Sequence, residues 1–227
     1  MEPFTIKFDK KLWDELRNPR FGLYFNYLTM KNQVMNLTNI TEEIEVYQKH
    51  FYDSIVLSKI FCLSNKELLD IGAGAGFPSI PLKLIEPVLK VTIVDSLNKR
   101  IEFLKELSEK LELKDVTLLH ARAEEMDKSK KFDFVTARAV ARLNILAELA
   151  IPFVKIGGYF IAYKSINYQE ELLEAKNCIS KLGAKLESVI IYEVNENIQH
   201  VLLVIKKETK TPNIYPRSFS KIKKSPL

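Results

Sequence analysis

Residues 68–78 have the sequence LLDIGAGAGFP, in which an apolar run typical of a buried strand leads into three glycines at alternate positions. Glycine tolerates a positive φ and lets a ligand approach the backbone without a Cβ in the way. Pro78 follows where the first turn of a helix can begin. A strand, a glycine loop and a helix in this order predict an open α/β sheet that binds a ligand at the carboxyl end of its first strand.

Outward from this loop, short β-branched runs alternate with helical runs. Strands are predicted at 67–71, 90–94, 116–120, 132–137, 159–163, 186–192 and 201–206, and helices at 78–85, 98–111, 142–154 and 168–182. This alternation predicts a mostly parallel seven-stranded sheet covered on both faces. Only the polar residues 195–199 separate the last two strands, so they should form a terminal antiparallel hairpin, as in class I (Rossmann-like) methyltransferases.

The first 65 residues have helical periodicity instead. Thr41, followed by two glutamates, is typical of a helix start, and this helix should bury Val46, Phe51, Ile55 and Ile60 and end near Cys62. The sequence therefore divides into an N-terminal helical extension (1–65), a Rossmann-like domain (66–206) and a basic C-terminal tail (207–227).

Composition and charge narrow the class of protein. Apolar residues make up 47% of the chain and charged residues 28%, and no apolar run approaches the roughly 20 residues that span a bilayer. Two distant cysteines and three histidines without ligand spacing favour neither a disulfide framework nor a metal site. We expect a cytoplasmic monomer that binds no metal ion and does not associate with a membrane.

The net charge of +5 is concentrated at the C-terminus, where residues 206–227 contain seven Lys or Arg residues and one acid, Glu208. A basic segment attracts polyanions, and nucleic acid is the usual one. A solvated tail without a ligand has the same composition.

Two carboxylates identify the cofactor class. Asp95 ends the second predicted strand, where a carboxylate can accept hydrogen bonds from both hydroxyls of a ribose. Asp70 lies two residues before Gly72; it would repel a pyrophosphate but suits the ammonium group of a methionine moiety. The glycine spacing G-x-G-x-G also departs from the G-x-G-x-x-G of NAD sites. The sequence therefore favours S-adenosylmethionine over NAD as the cofactor. A nicotinamide-dependent oxidoreductase stays open as an alternative function.

Two further strand ends carry candidate residues. Ala123 and Glu124 follow the third strand, where a backbone amide and a carboxylate can hold an adenine edge; an exposed acidic turn is the alternative. Arg138 follows the fourth strand, where the methyl acceptor should enter. Its five-donor fork suits guanine O6 and N7 or a phosphate, and it equally suits a structural ion pair. Lys164, at the end of the fifth strand, could face a phosphate or the base, or could be a surface lysine.

The acceptor region also lacks certain motifs. It has neither an Asn/Asp-Pro-Pro-aromatic tetrapeptide for an exocyclic amine nor a cysteine to attack a pyrimidine ring. Guanine N7 has a lone pair and no proton to lose, so it needs no general base, and positioning alone can supply roughly 7–11 kcal/mol.

Several blocks occur together in one order, from about Tyr27 to the C-terminus. They are 36–38 (NLT), 50–54 (HFYDS), 70–78 (DIGAGAGFP), 95–100 (DSLNKR), 122–124 (RAE), 137–141 (ARAVA), 157–160 (GGYF) with Lys164, and 215–217 (YPR). In these blocks the chain resembles the family of ribosomal RNA small subunit methyltransferase G, also called glucose-inhibited division protein B. Two positions depart from the family pattern: Ser165 follows Lys164 where the family has glycine, and Ser220 and Ile222 replace a glycine and a proline of the tail.

The resemblance implies a cytoplasmic enzyme that makes 7-methylguanosine in 16S rRNA, with naked rRNA or the 30S subunit as its partner. It implies contacts to S-adenosylmethionine at Gly72, Phe77, Ala123, Glu124 and Arg138, to which the physical argument adds Gly74, Gly76 and Asp95. No catalytic side chain is expected; Arg138 and Lys164 are candidates for placing the acceptor.

Two questions stay open, the role of one polar pair and the function itself. His50 and Asp53, three apart on one helix, could orient a ligand, although a structural contact between the extension and the sheet is favoured. A small-molecule methyltransferase and a non-catalytic rRNA-binding assembly factor with a retained cofactor pocket are the alternative functions.

Overall fold

The sheet and its covering helices follow the alternation of apolar runs along the chain. The structure, a computed structural model, describes residues 2–227, and these form an eight-stranded mixed sheet with helices on both faces. The strands are β1 Phe4–Ile6, β2 Glu67–Ile71, β3 Lys90–Asp95, β4 Val116–His120, β5 Phe132–Arg138, β6 Val154–Ser165, β7 Ala184–Asn195 and β8 Ile198–Lys207. The α-helices are α1 Lys10–Asp14, α2 Pro19–Met35, α3 Glu43–Val46, α4 Asp53–Ile55, α5 Ser79–Ile85, α6 Asn98–Lys110, α7 Leu143–Ala150, α8 Gln169–Lys181 and α9 Phe219–Lys224.

The strand order is β1-β7-β8-β6-β5-β2-β3-β4. Strands β2 to β6 pair in parallel, whereas β8 is antiparallel to both β6 and β7. The fold is therefore a class I methyltransferase-like α/β fold with a terminal antiparallel hairpin, as the sequence predicts. The parallel strands all end at one edge of the sheet, and the glycine loop, Asp95, Arg138 and Lys164 lie there together.

The prediction of seven strands and a wholly helical N-terminus is wrong at Phe4–Ile6. These residues form β1 and pair in parallel with β7, with Phe4 opposite Ile190. A three-residue strand is too short to show a period of two in the sequence, and its pairing partner is almost the whole chain away. Met1, the first residue of the predicted extension, lies outside the described residues.

The third predicted helix is one helical segment whose winding changes. It begins with α3, continues as a π-helical stretch at Tyr47–Tyr52 and as α4, and ends in a 3-10 turn at Val56–Lys59. Three of its four predicted core residues, Val46, Phe51 and Ile55, are buried, as the sequence predicts, whereas Ile60 is partly exposed. π-helical turns disturb the regular helical hydrogen bonding and occur frequently at functional sites.

Two apolar cores lie on either side of the sheet. One contains side chains of α2, α5 and α6, and the other contains side chains of α7, α8 and α9. The C-terminal segment belongs to the second core, because Ile222 of α9 is fully buried there. In the described part of the chain, no helix combines the length and apolar character needed to cross a membrane.

Candidate active site

The three glycines of the loop have different surroundings, although all have positive φ. A Cβ on Gly72 would come within 2.8 Å of the Val140 side chain, and a Cβ on Gly74 would meet no atom within 4 Å. A Cβ on Gly76 would strike Ile80 and Tyr24, each at 2.8 Å. Gly74 therefore faces open space, Gly72 faces the loop after β5, and Gly76 faces the core.

A cavity of about 330 Å³ lies beside Gly72, and we call it the cofactor cavity. Its volume is at the lower end of the roughly 300–1,000 Å³ usual for small-molecule sites. Four of the predicted cofactor residues line it, namely Gly72, Asp95, Ala123 and Glu124. Gly74, Gly76, Phe77 and Arg138 do not line this cavity.

Asp95 is held at the rim of the cofactor cavity. Its Oδ1 accepts the Leu97 N–H at 2.9 Å, while Oδ2 accepts Arg100 Nη1 at 3.2 Å and the Gly74 N–H at 3.4 Å. A carboxylate offers about four lone-pair positions, so capacity remains for a ribose hydroxyl. The residues present therefore fit a ribose-containing cofactor: a buried, oriented carboxylate lines the cavity together with Gly72, and the Gly74 backbone that it contacts faces open space.

The C-terminal segment contributes to the wall of the cofactor cavity. Ala123 and Glu124 lie in a 3-10 turn, and the Phe219 ring lines the same cavity, with the Arg122 guanidinium 5.5 Å from the ring centroid. Phe219 was not predicted as a site residue. The sequence carries no signal for it, because the contact depends on how the tail docks.

Arg217, two residues before Phe219, anchors the C-terminal segment to the rest of the fold. Arg217 donates from Nε at 2.8 Å and from Nη2 at 2.6 Å to the Glu148 carboxylate, which also accepts the Arg217 backbone N–H at 2.9 Å. Glu148 is fully buried in α7. A buried charge needs such pairing, so the tail is an integral part of the fold at this point.

Asp70 does not face the cofactor cavity, and the prediction that it receives the ammonium group is wrong in this structure. The carboxyl is fully buried, accepting the Ser79 N–H at 3.2 Å and the Thr136 hydroxyl at 3.0 Å. Burial raises the pKa of Asp70 to about 7 despite these hydrogen bonds. Asp70 thus joins β2 to the start of α5 and to β5.

A second cavity, of about 630 Å³, lies beyond the loop after β5 and is called the acceptor cavity. Arg138, Lys164 and His200 line it, as do Lys49, His50 and Asp53 of the helical extension. Ala139 and Val140 line both cavities. Ala139 has φ +56°, a left-handed conformation that costs a non-glycine residue roughly 1–2 kcal/mol.

Arg138 is held by the extension. Nη1 donates to Asp53 Oδ2 at 2.7 Å and to the Lys49 carbonyl in the π-helical stretch at 3.1 Å, and Nη2 lies 3.1 Å from His50 Nδ1. The guanidinium also lies 4.9 Å from the Phe77 ring centroid. Three of its five N–H donors are thus engaged within the protein, which leaves two for a ligand. The structural ion pair that the sequence left open for Arg138 is present.

Asp53 is the centre of this network. Besides Arg138, it accepts the Tyr192 hydroxyl and pairs with His200 Nδ1, each at 2.6 Å from Oδ1. Burial favours a higher pKa for Asp53, but the hydrogen bond from His200 and the charge of Arg138 outweigh it, and the pKa lies below its ordinary value. Asp53 therefore stays charged and joins the extension, β5 and the terminal hairpin, which is the structural contact favoured from the sequence.

His50 is held neutral beside this network. Its ring stacks on Phe77 with centroids 4.5 Å apart, and its Nε2 lies 2.7 Å from the Thr38 hydroxyl. Burial and then the charge of Arg138 lower the pKa of His50 to about 4. His50 is thus a neutral hydrogen-bonding partner at pH 7.

Lys164 braces the loop after β5. Its Nζ lies 2.6 Å from Glu171 Oε2 and donates to the Ala141 carbonyl at 3.0 Å. Glu171 also accepts the Leu143 N–H at 2.9 Å. Lys164 is therefore mostly enclosed, and it fixes the loop that separates the two cavities.

Tyr192 and His200 were not predicted from the sequence. His200 lies directly opposite Ser165 in the β6–β8 register, so the hairpin brings it to the carboxyl end of β6. The predicted hairpin could have indicated these residues. Because β8 pairs antiparallel with β6, the first residues of β8 must lie beside the acceptor cavity.

Comparisons with known proteins agree with this geometry. A family model described as GidB, rRNA small subunit methyltransferase G, matches residues 17–202. A ribosomal RNA small subunit methyltransferase G of Staphylococcus saprophyticus is 53% identical over 213 residues, covering 92% of this chain and 89% of that protein. A protein of the same name from Lactococcus lactis is 48% identical over 226 residues, covering 97% and 94%.

Among solved structures, M. jannaschii TYW2 in complex with AdoMet superposes with a TM-score of 0.58 at 17% identity, covering 74% of this chain and 79% of that one. At this identity the likeness concerns the fold.

Proposed function

The chain belongs to the family of rRNA small subunit methyltransferase G, whose known activity is methylation of guanine N7, and we propose that it performs this reaction by positioning the acceptor base rather than by acid–base catalysis. It is a methyltransferase, its cofactor is S-adenosylmethionine, and its substrate is 16S rRNA. The nicotinamide oxidoreductase and small-molecule alternatives do not agree with this membership.

The observation that carries the proposal is the meeting of the cofactor and acceptor cavities at one loop. Ala139 and Val140 line both, and Val140 contacts the position of Gly72. A methyl donor in the cofactor cavity and a base in the acceptor cavity would therefore lie on either side of these two residues. Methyl transfer needs such proximity and alignment.

The cofactor supplies an electrophilic methyl group on its sulfonium. In the proposal Asp95 accepts a hydrogen bond from a ribose hydroxyl, and Ala123 and Glu124 hold the adenine edge. Gly72 and Gly74 let the cofactor lie close to the backbone. Gly72 is supported by its place in the lining of the cavity, and Gly74 by the open space that its missing side chain leaves.

Two predicted cofactor residues support the site from beneath. Gly76 packs against α2 and α6, and Phe77 lies under His50 and Arg138. We assign them the role of holding the glycine loop and Arg138 in place. Arg138 then offers its two free N–H donors towards the acceptor, and Lys164 keeps the intervening loop in position.

Guanine N7 attacks through its own lone pair, and no protein group has to remove a proton. This agrees with the acceptor cavity, where several titratable side chains are engaged with one another: Asp53 with Tyr192 and His200, and Lys164 with Glu171. We also propose that the protein is a monomer in the cytoplasm, and that the chain divides into an extension (1–65), a methyltransferase domain (66–206) and a tail (207–227).

The test is methyl transfer from labelled S-adenosylmethionine to 16S rRNA and to 30S particles that lack this modification, followed by nucleoside analysis. Label in 7-methylguanosine is expected, and comparison of the two substrates identifies the preferred partner. Asp95→Ala should lose activity at low cofactor concentration, whereas the exposed Asp127→Ala should retain it. Cofactor binding without label in any RNA would contradict catalysis and favour an assembly factor.

A further inference from the structure

A lysine-rich cavity lies at the opposite edge of the sheet, at the amino ends of the parallel strands. Its volume is about 550 Å³. The five lysines that line it are Lys128, Lys131, Lys155, Lys207 and Lys210. We call it the lysine cavity. Along the paired strands β5 and β6, Phe132 lies opposite Val154 at this cavity and Arg138 lies opposite Tyr163 at the acceptor cavity. The residue steps of β5 from Phe132 to Arg138, at about 3.3 Å each, therefore separate the two cavities by roughly 20 Å.

Most of this positive charge has no counter-charge in the protein. Lys155 pairs with Glu67 at 2.8 Å and with Asp133 at 3.2 Å. Within residues 2–227, the other four lysines of the cavity form no ion pair within 4.0 Å.

Two acids lie directly next to these lysines in the sequence, and neither forms an ion pair with a lysine of the cavity. Asp127 accepts the Ser129 N–H at 2.9 Å and its hydroxyl at 2.8 Å, and Glu208 pairs with Lys185 at 2.6 Å. Asp127 therefore offsets only part of the charge of Lys131, and the cavity keeps a net positive charge.

The lysines are also held in place by backbone carbonyls. Lys131 Nζ donates to the carbonyls of Lys128 at 2.6 Å and Pro152 at 2.7 Å, and Lys128 Nζ donates to the Pro216 carbonyl at 3.2 Å. Lys207 donates to the Leu182 carbonyl and to the Thr211 hydroxyl. Several ammonium groups are thus fixed near one another, which distinguishes the cavity from a set of freely moving surface lysines.

The ammonium groups repel one another. Burial and then the charge of Lys131 lower the pKa of Lys207 to about 8, and burial followed by Lys210 and Lys128 lowers that of Lys131, against the opposing effect of Asp127. A bound anion would reduce this repulsion. Lysine is a compact point charge that recognises phosphate without reading sequence.

We propose that the lysine cavity binds backbone phosphates of the RNA substrate, at a point remote from the base that is methylated. This inference rests on the proposed function, because it takes its occupant from the class of substrate. The roughly 20 Å separation means that the contact involves a different part of the RNA from the target base. Binding there adds affinity and fixes orientation, and it leaves the chemical step to the other edge of the sheet.

The test removes the two exposed lysines of the cavity, Lys128 and Lys210, which leaves the internal hydrogen bonds of Lys131 and Lys207 intact. Affinity for 16S rRNA is measured over a range of salt concentrations for the wild type, for Lys128→Gln/Lys210→Gln and for a control, Lys105→Gln/Lys176→Gln. The control removes two exposed lysines of α6 and α8. We expect the slope of log affinity against log salt to become less steep by roughly 1.4–1.8 in the cavity variant, at about 0.7–0.9 per phosphate contact.

Affinity should fall on the order of 10-fold or more in the cavity variant, with cofactor affinity and turnover at saturating RNA unchanged. A cavity variant that binds RNA like the wild type, or a control that weakens binding equally, overturns the inference. Absence of methyl transfer by the wild type would instead contradict the proposed function, so the two failures are distinguishable.

Discussion

The cofactor cavity and the acceptor cavity lie side by side and are built in opposite ways. The cofactor cavity is formed mainly by short pieces of chain next to the strand ends, such as Gly72, Asp95 and Ala123. The acceptor cavity depends on a charge network that joins Asp53, Arg138 and His200 from three distant parts of the chain. A cavity of the first kind can be read from local motifs, whereas the second exists only after the chain has folded.

The largest expected effect comes from breaking the network of the acceptor cavity. Arg138→Gln leaves the buried charge of Asp53 without its arginine, and removing one partner of a buried pair typically costs about 3–5 kcal/mol of unfolding free energy. Urea denaturation measures this loss. Arg142 provides the matched control, since it pairs with Glu174 at 2.8 Å four residues later in the same loop region but is half exposed.

Arg142→Gln should cost at most about 1 kcal/mol, as exposed ion pairs usually do. Cofactor affinity should change little in either variant if Arg138 acts through the acceptor side. Equal losses of unfolding free energy in the two variants would mean that the buried Asp53 network stabilises the fold no more than an exposed ion pair does. A large loss of cofactor affinity in Arg138→Gln alone would move Arg138 to the cofactor side, as the family resemblance implies.

The same contrast explains how far sequence analysis reached. The seven predicted strands, the helices that alternate with them and the terminal hairpin were predictable because each has a local period and a local boundary. Gly72, Asp95, Ala123 and Glu124 were predictable because they follow strands directly. Strand β1 was not, since three residues carry no period.

Other features depend on contacts between distant segments. Asp70 is adjacent to the glycine loop in sequence, but Ser79 and Thr136 turn its carboxyl into the core. The tail looked like a solvated basic arm, but its Arg217 is used to neutralise Glu148. Neither pairing has a signature in a single sequence, because any carboxylate or arginine could have served.

Two buried titratable groups, His50 at the acceptor cavity and Asp70 near the end of β2, should give opposite pH dependence of stability. The pKa of His50 is lowered to about 4, so below its ordinary pKa of 6.5 the unfolded chain binds the proton more readily and stability falls on acidification. The pKa of Asp70 is raised to about 7 from 3.8, so the folded chain keeps a proton that the unfolded chain loses, and stability falls as pH rises towards 7. Each effect has a full size of roughly 3–4 kcal/mol.

The measurement is urea denaturation from about pH 4.5 to about pH 7.5 for the wild type, His50→Gln and Asp70→Asn. The stability difference between wild type and His50→Gln should grow as pH rises and level off above about 6.5. The difference between wild type and Asp70→Asn should shrink over the same range. Because the comparison uses slopes, a constant loss from missing hydrogen bonds does not affect it, and parallel curves for all three proteins would refute both assignments.

The smallest expected effect concerns the one part of the cofactor cavity that is not local. Phe219→Ala removes the aromatic wall that the tail contributes; about 50 Å² of apolar contact at roughly 25 cal/mol per Å² corresponds to about 1.3 kcal/mol, or about a 10-fold weaker affinity for S-adenosylmethionine. Isothermal titration calorimetry measures the affinity, with Ile214→Ala, an exposed apolar residue of the same segment, as the control. Unchanged affinity in Phe219→Ala would restrict the cofactor cavity to its local motifs. A selective loss would mean that the tail belongs to the cofactor site, so that deletion of residues 207–227 would impair methyl transfer through the cofactor and could not by itself report on RNA binding.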